Sequence, residues 1–154
     1  MNNLHIDDFC KDCALILLQL YRVFPRRHTV YVEDICGSDT PDEVGLHSDR
    51  HMAGLGAMLW LAEEGYIRYQ SLVYQDAVDQ AVLTQKSFII LTAHHGVAER
   101  NLAALIRQAV KKGSSNNITR IMTVLFAQQA MQPDVDEQLT ECQSVNGCAI
   151  EPCA

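Results

Sequence analysis

HSDRHMAGLGAMLWLAEEGYIRYQSLVYQDAVDQAVLT, residues 47–84, decides the architecture of this chain. Residues 47–64 read as one helix. Met52, Leu55, Leu59 and Ala62 recur at helical steps as an inner stripe, with Met58 and Trp60 beside it. Ser48 or Asp49 suits the cap, because a short side-chain oxygen accepts from an orphan amide of the first turn. Gly54 and Gly56 each cost about 1 kcal/mol relative to alanine inside a helix, which is tolerable where a neighbouring helix packs close. Gly65 ends the helix, since the chain must leave through a left-handed turn and pair as a strand at once. Residues 66–74 and 78–83 then read as a hairpin with Gln75, Asp76 and Ala77 at its tip. Thr84 caps a further helix to about Thr92, although Phe88-Ile89-Ile90-Leu91 is apolar enough to leave a strand open.

Upstream, residues 6–24 form a strong amphipathic helix. Phe9, Cys13, Ile16, Leu17, Leu20, Tyr21 and Phe24 make its stripe, and Pro25 stops it. His28 to Val32 is β-prone, Glu33 to Cys36 fits one helical turn closed by Gly37, and Ser38 to Leu46 is loop-like. Downstream, His94-His95-Gly96 is a break. Leu102, Leu105, Ile106, Ala109 and Val110 form one stripe, ended by Lys111-Lys112-Gly113. Ser114 to Asn117 reads as a turn, and Ile118, Ile121, Met122, Leu125 and Phe126 form a second stripe. These two stripes either pack back on the domain or pair across a two-fold axis. From Pro133 onward periodicity is lost, and a disordered tail is expected.

The chain of 154 residues is 48% hydrophobic and 20% charged, the profile of a soluble globular protein. No apolar run approaches the ~18–20 residues that span a bilayer. The N-terminus lacks the basic-then-apolar order of a secretory signal, so the cytoplasm is expected. The net charge of −7 is uneven. Residues 1–130 carry all twelve Lys and Arg against fourteen Asp and Glu, whereas residues 131–154 hold five acidic residues and no basic one. The body is therefore near neutral and free to carry a basic face. Cys10, Cys13 and Cys36 lie in the body and Cys142, Cys148 and Cys153 in the tail, which is not the distribution of a disulfide framework.

Trp60 to Arg68, followed by Ala81 to Thr84, resembles the winged helix-turn-helix superfamily of bacteria and phage, MarR- and PadR-like in general pattern. Leu61-Ala62-Glu63-Glu64-Gly65-Tyr66-Ile67 matches the segment that closes the recognition helix and enters the wing in that superfamily. Leu83-Thr84-Gln85-Lys86 matches the one that closes the wing and opens the next helix. The resemblance covers about residues 6–92. Ser38 to Leu46 departs from it, being longer and more acidic than a compact turn.

The resemblance implies a mainly α fold with a small β-hairpin, a winged helix over residues 1–93, a helical extension over 94–130 and an acidic tail over 131–154. It implies that the start of helix 47–64 enters a major groove through His47, Ser48, Asp49, Arg50, His51 and Gly54. Arg50 is the natural guanine reader. Arg68 and Gln75 would serve on the hairpin, and Arg26 and Arg27 on phosphate, within a basic cluster that also holds Arg22 and His28. A second cluster is Arg100, Arg107, Lys111, Lys112 and Arg120. The implied function is a DNA-binding transcriptional regulator, dimeric through helices 99–112 and 117–130. The alternative is a protein-interaction adaptor or inhibitor on the same scaffold, such as an accessory subunit or a phage-type inhibitor of a host protein.

Other chemistry finds less support. His47 and His51 are spaced as a metal-ligand pair, and His94-His95 offers a further ligand, but no cysteine or carboxylate is placed to complete four ligands. They read as polar residues at a helix start and a loop, and no metal is expected. Cys10-x-x-Cys13 has redox spacing yet lies in a buried helical stripe. The spacing of the tail cysteines matches no zinc pattern. Gly54-x-Gly56 lacks the preceding strand of a dinucleotide loop, and Glu63-Glu64 reads as a solvated pair. No nucleophile, base or cofactor site assembles, so neither enzyme nor cofactor is expected.

Overall fold

A computed structural model describes residues 3–95 and 100–130. Its elements run α1 Leu4–Val23, β1 His28–Tyr31, α2 Val32–Cys36, α3 Asp49–Glu63, β2 Ile67–Arg68, β3 Ser71–Val73, β4 Ala77–Leu83, α4 Gln85–Thr92, β5 His94–His95, β6 Arg100–Asn101, α5 Leu102–Lys112 and α6 Ser115–Ala130. The fold is mainly helical, with one small antiparallel sheet and a two-stranded β5–β6 pair. Among the described residues no helix is long and apolar enough to cross a membrane. The acidic tail, its three cysteines and Gly96 lie outside the described residues.

The expected joint is present. Gly65 adopts φ +77° and the Tyr66 amide returns to Leu61 O at 2.8 Å, so the chain leaves α3 and enters β2 within four residues. β4 is the central strand. β1 pairs with it on one side, and β2 and then β3 pair along the other. The hairpin is broken at Tyr69-Gln70 rather than continuous. Its turn is Tyr74 to Asp76, because Ala77, expected at the tip, already pairs with Tyr31 and Val73. Gln80, at φ +53°, is the extra residue that shifts the register between β1 and β4.

Thr84 caps α4 by accepting from the Ser87 amide, which settles residues 85–92 as helix. α5 begins at Leu102 rather than 99, because Asn101 pairs with His94 and then caps the helix at the Ala104 amide. α6 begins at Ser115 rather than 117, because Ser114 O already accepts the amides of Asn117 and Ile118.

α1 is the central post, and α3, α5 and α6 pack against it. Cys13, Ile16, Leu17 and Leu20 on α1 are buried with Ile106 on α5 and Met122 and Leu125 on α6. Of the two dispositions open to the C-terminal stripes, packing back on the domain is the one observed. The aromatic rings close this core. Phe126 stands 5.2 Å from Trp60 and 5.3 Å from Tyr66, and Phe9 stands 5.1 Å from Trp60. Such edge contacts contribute about 0.5–1.5 kcal/mol each beyond area burial.

The phase of α3 differs from its sequence reading. His51, Gly54, Leu55, Met58 and Leu61 face inward, whereas Met52, expected inside, is 38% exposed. The cause is α2. Val32 and Cys36 approach so closely that a Cβ on Gly54 would fall 2.0 Å from Cys36 Sγ and 3.3 Å from Val32 Cγ1. The glycine is the contact point between the two helices, and this fixes the rotation of α3.

Candidate functional site

The start of α3 is a junction of polar groups from five parts of the chain. Ser48, extended at ψ 156°, caps the helix by accepting from the His51 amide. Arg50 then points across α3 to α1, where Asp12 is only 1% exposed. The guanidinium donates to both carboxylate oxygens, at 2.7 and 2.6 Å, and to Cys36 Sγ at 3.3 Å. These charge-assisted bonds hold the Arg50 charge more firmly than usual. Burial, with the Asp12 charge beside it, pushes the Cys36 thiol up to about 11. Burial also raises Cys10 and Cys13, the opposite of what a reactive pair requires.

One turn along, two imidazoles stack. His47 lies ahead of the cap rather than on the helix, yet its ring sits 3.9 Å from that of His51 with 9° between planes. The Ser38–Leu46 loop returns Asp39 to this point. Asp39 Oδ2 is 2.9 Å from His47 Nδ1, 3.8 Å from His51 Nδ1 and 3.3 Å from the Ser48 amide. Hydrogen bonds from Ser48 and His47 hold the Asp39 carboxyl below its ordinary range. The hairpin turn closes the other side. His51 Nε2 meets Gln75 O at 2.8 Å, and His47 Nε2 lies 3.3 Å from Asp76 Oδ1. The Val32 amide donates to Asp76 O, so the turn is fastened to α2 as well.

Among the residues expected to meet nucleic acid, His47, Ser48, Arg50, His51 and Gln75 therefore come together, but mostly by contacting one another. His51, expected to face outward, is 1% exposed, and Arg50 is committed to Asp12. Ser48 and Gln75 are exposed, as are Arg68, Arg26 and Arg27. Arg68 belongs to β2, and Arg26 and Arg27 to the connection after α1. The outward face of α3 carries Asp49, Met52, Ala53, Gly56 and Glu63, with no cation. Of the two basic clusters, Arg22 from the first and Arg107 and Lys111 from the second line one groove of about 660 Å³, between α1, α2 and α5. No α3 residue borders it.

Exposed apolar side chains surround the junction. Leu46 is 63% exposed, Met52 38% and Tyr74 89%, and each is the chain neighbour of a junction residue: His47, His51 and Gln75. Val73 and Tyr31, also exposed, flank Ala77 in register across β3, β4 and β1. Sequence reasoning did not find Asp12, Asp39 or Asp76. Only Asp39 had a legible signal, the acidity of the Ser38–Leu46 loop, which departed from the winged-helix pattern. Compared with protein-family models, with curated proteins and with solved structures, the chain shows no match.

Proposed function

We propose that this chain is a protein-interaction adaptor on a winged-helix-like scaffold, and that its partner meets the junction of α3 with the hairpin turn. The observation that carries this reading is the pairing of Arg50 with Asp12. The side chain best suited to read a base is tied by two bonds to a buried carboxylate, and the outward face of α3 is acidic and small-apolar. A duplex reader needs cations on that face to displace counterions from phosphates. Exposed Leu46, Met52 and Tyr74 instead offer the aromatic and apolar anchors common in protein interfaces. The element order, with β4 between β1 and β2, supports the winged-helix resemblance. Free Cys10, Cys13 and Cys36 fit a reducing, cytoplasmic setting.

The test is binding of the full chain to random and genomic duplex DNA at two salt concentrations, with and without residues 131–154. The adaptor reading expects no measurable affinity in either form. It also expects a photo-crosslinking residue at position 52 or 74 to capture one protein that the same residue at position 86 does not. Salt-sensitive duplex binding, strengthened by tail removal, would overturn it.

A second reading, the DNA-binding regulator, is favoured by the groove that gathers Arg22, Arg107 and Lys111. There the duplex backbone lies along α1 and α5 rather than α3, with Arg26 and Arg27 at the end of α1. In this reading the chain works as a homodimer, and the groove lined by Leu105, Ile121 and Val124 receives the second copy. Sedimentation equilibrium at micromolar concentration decides that point.

A further inference from the structure

We propose that Asp39, His47 and His51 form a binding site for a zinc-class divalent transition-metal ion, which fastens the Ser38–Leu46 loop to the start of α3. Among the described residues this is a group whose carboxylate and imidazole atoms all lie within 4.8 Å of one another. Two imidazoles with one carboxylate is a donor set that zinc takes readily. Ligand atoms about 2.0–2.2 Å from a tetrahedral ion stand roughly 3.4 Å apart. The Asp39 Oδ2 distances to the two Nδ1 atoms, 2.9 and 3.8 Å, bracket that spacing.

An independent observation comes from His51. Its side chain is 1% exposed and its Nδ1 has no hydrogen-bond partner. A buried polar atom left unsatisfied costs about 1–3 kcal/mol, so its retention needs a reason. Here Nε2 is occupied by Gln75 O at 2.8 Å. A carbonyl only accepts, so Nε2 carries the proton and Nδ1 presents a bare lone pair toward Asp39. His47 is similarly oriented, with Nε2 beside the Asp76 carboxylate at 3.3 Å, but its Nδ1 donates to Asp39 at 2.9 Å. Acceptors on the far nitrogens are how metal-binding histidines are oriented and made more basic. The hairpin turn thus supplies the outer support for both ligands.

The parallel rings turn both Nδ1 atoms toward Asp39. Loading therefore fans them apart. His47, ahead of the helix cap, turns on its own χ1, while His51 stays fixed by Gln75. His47 gives up the Nδ1 proton that it donates to Asp39, that proton leaves to solvent, and the ion takes its place between the two groups. Water takes the fourth position.

The test is titration of the full chain, stripped with chelator, with zinc by calorimetry and with cobalt(II) by absorption. The expected result is one equivalent bound with weak tetrahedral d–d bands and no thiolate charge-transfer band. Asp39→Asn and His47→Gln, both in the loop region and checked for unchanged helical dichroism, lower affinity by roughly a hundredfold or more, and Asp76→Asn by roughly tenfold. A variant with serine at the three tail cysteines binds as before. The proposal is overturned if the parent chain binds no ion at 100-fold excess. It is equally overturned if Asp39→Asn and His47→Gln bind like the parent, or if the cysteine variant abolishes binding.

Discussion

Arg50 and Asp12, on α3 and α1, form a two-bonded ion pair in which the carboxylate is 1% exposed and the arginine side chain 38%. The asymmetry makes the two partners unequal. Removing Arg50 leaves a buried carboxylate whose remaining neighbour is the Cys36 thiol at 3.9 Å. Removing Asp12 leaves a guanidinium that already reaches water. Breaking a buried pair costs about 3–5 kcal/mol. Arg50→Ala should fall in that range and Asp12→Ala below it. The double change Asp12→Leu with Arg50→Met should recover much of the loss, since a packed apolar pair often matches a buried ionic one. Urea midpoints of the four proteins check the order. Equal losses for the two single variants would show that the difference in exposure does not matter.

The two glycines of α3 should respond in opposite directions. A methyl group on Gly54 would meet Cys36 Sγ at 2.0 Å, so Gly54→Ala forces α2 and α3 apart and costs about 1–3 kcal/mol. Cys36→Ala in the same chain should relieve most of it. Gly56 has nothing within 4 Å of the same position and is exposed. Gly56→Ala should therefore stabilise by about 0.4–1 kcal/mol, by restricting the unfolded chain. Thermal melts of both variants would show one transition moving down and the other up.

Phe126 ties α6 to residues of α1, α3 and the start of the hairpin, through its contacts with Phe9, Trp60 and Tyr66. If the C-terminal helices belong to the same core, Phe126→Ala should cost about 3 kcal/mol. It should also lower the whole unfolding curve without splitting it. Tryptophan fluorescence, which reports Trp60, and far-ultraviolet dichroism should lose signal together. A transition in dichroism that precedes the fluorescence change would mark α5 and α6 as a separate unit.

These contacts divide into those written locally and those written across the chain. The Gly65 exit, the Ser48 and Thr84 caps and the stripe of α1 were legible because each depends on a residue and its neighbours within about four positions. The phase of α3 was not. Met52 and His51 differ by about 100° on a helix, and the choice between them rests on Gly54 meeting Cys36, a contact between elements. The metal-type cluster was half legible. His47 and His51 have visible spacing, but Asp39 and Asp76 reach them through a loop and a hairpin turn. The partner of Arg50 was illegible for the same reason, since Asp12 lies on α1, thirty-eight positions away.

Stability should decline on the alkaline side. Burial raises Cys13 well above its ordinary value of 9.0, Cys36 to about 11 from the same value, and Tyr66 to about 12 from 10.0. The folded chain therefore keeps protons that the unfolded chain has released. Each such proton lowers stability by about 1.4 kcal/mol per pH unit. The contribution of these groups is whole below about pH 9 and is lost as pH rises through the folded values. Urea midpoints should hold from pH 7 to 8.5 and then fall steadily to pH 10.5. Cys36→Ala, less stable at neutral pH, should show a shallower decline because one of the proton-retaining groups is gone. A midpoint unchanged to pH 10.5 would mean that these thiols and the phenol reach water in the folded chain as freely as in the unfolded one.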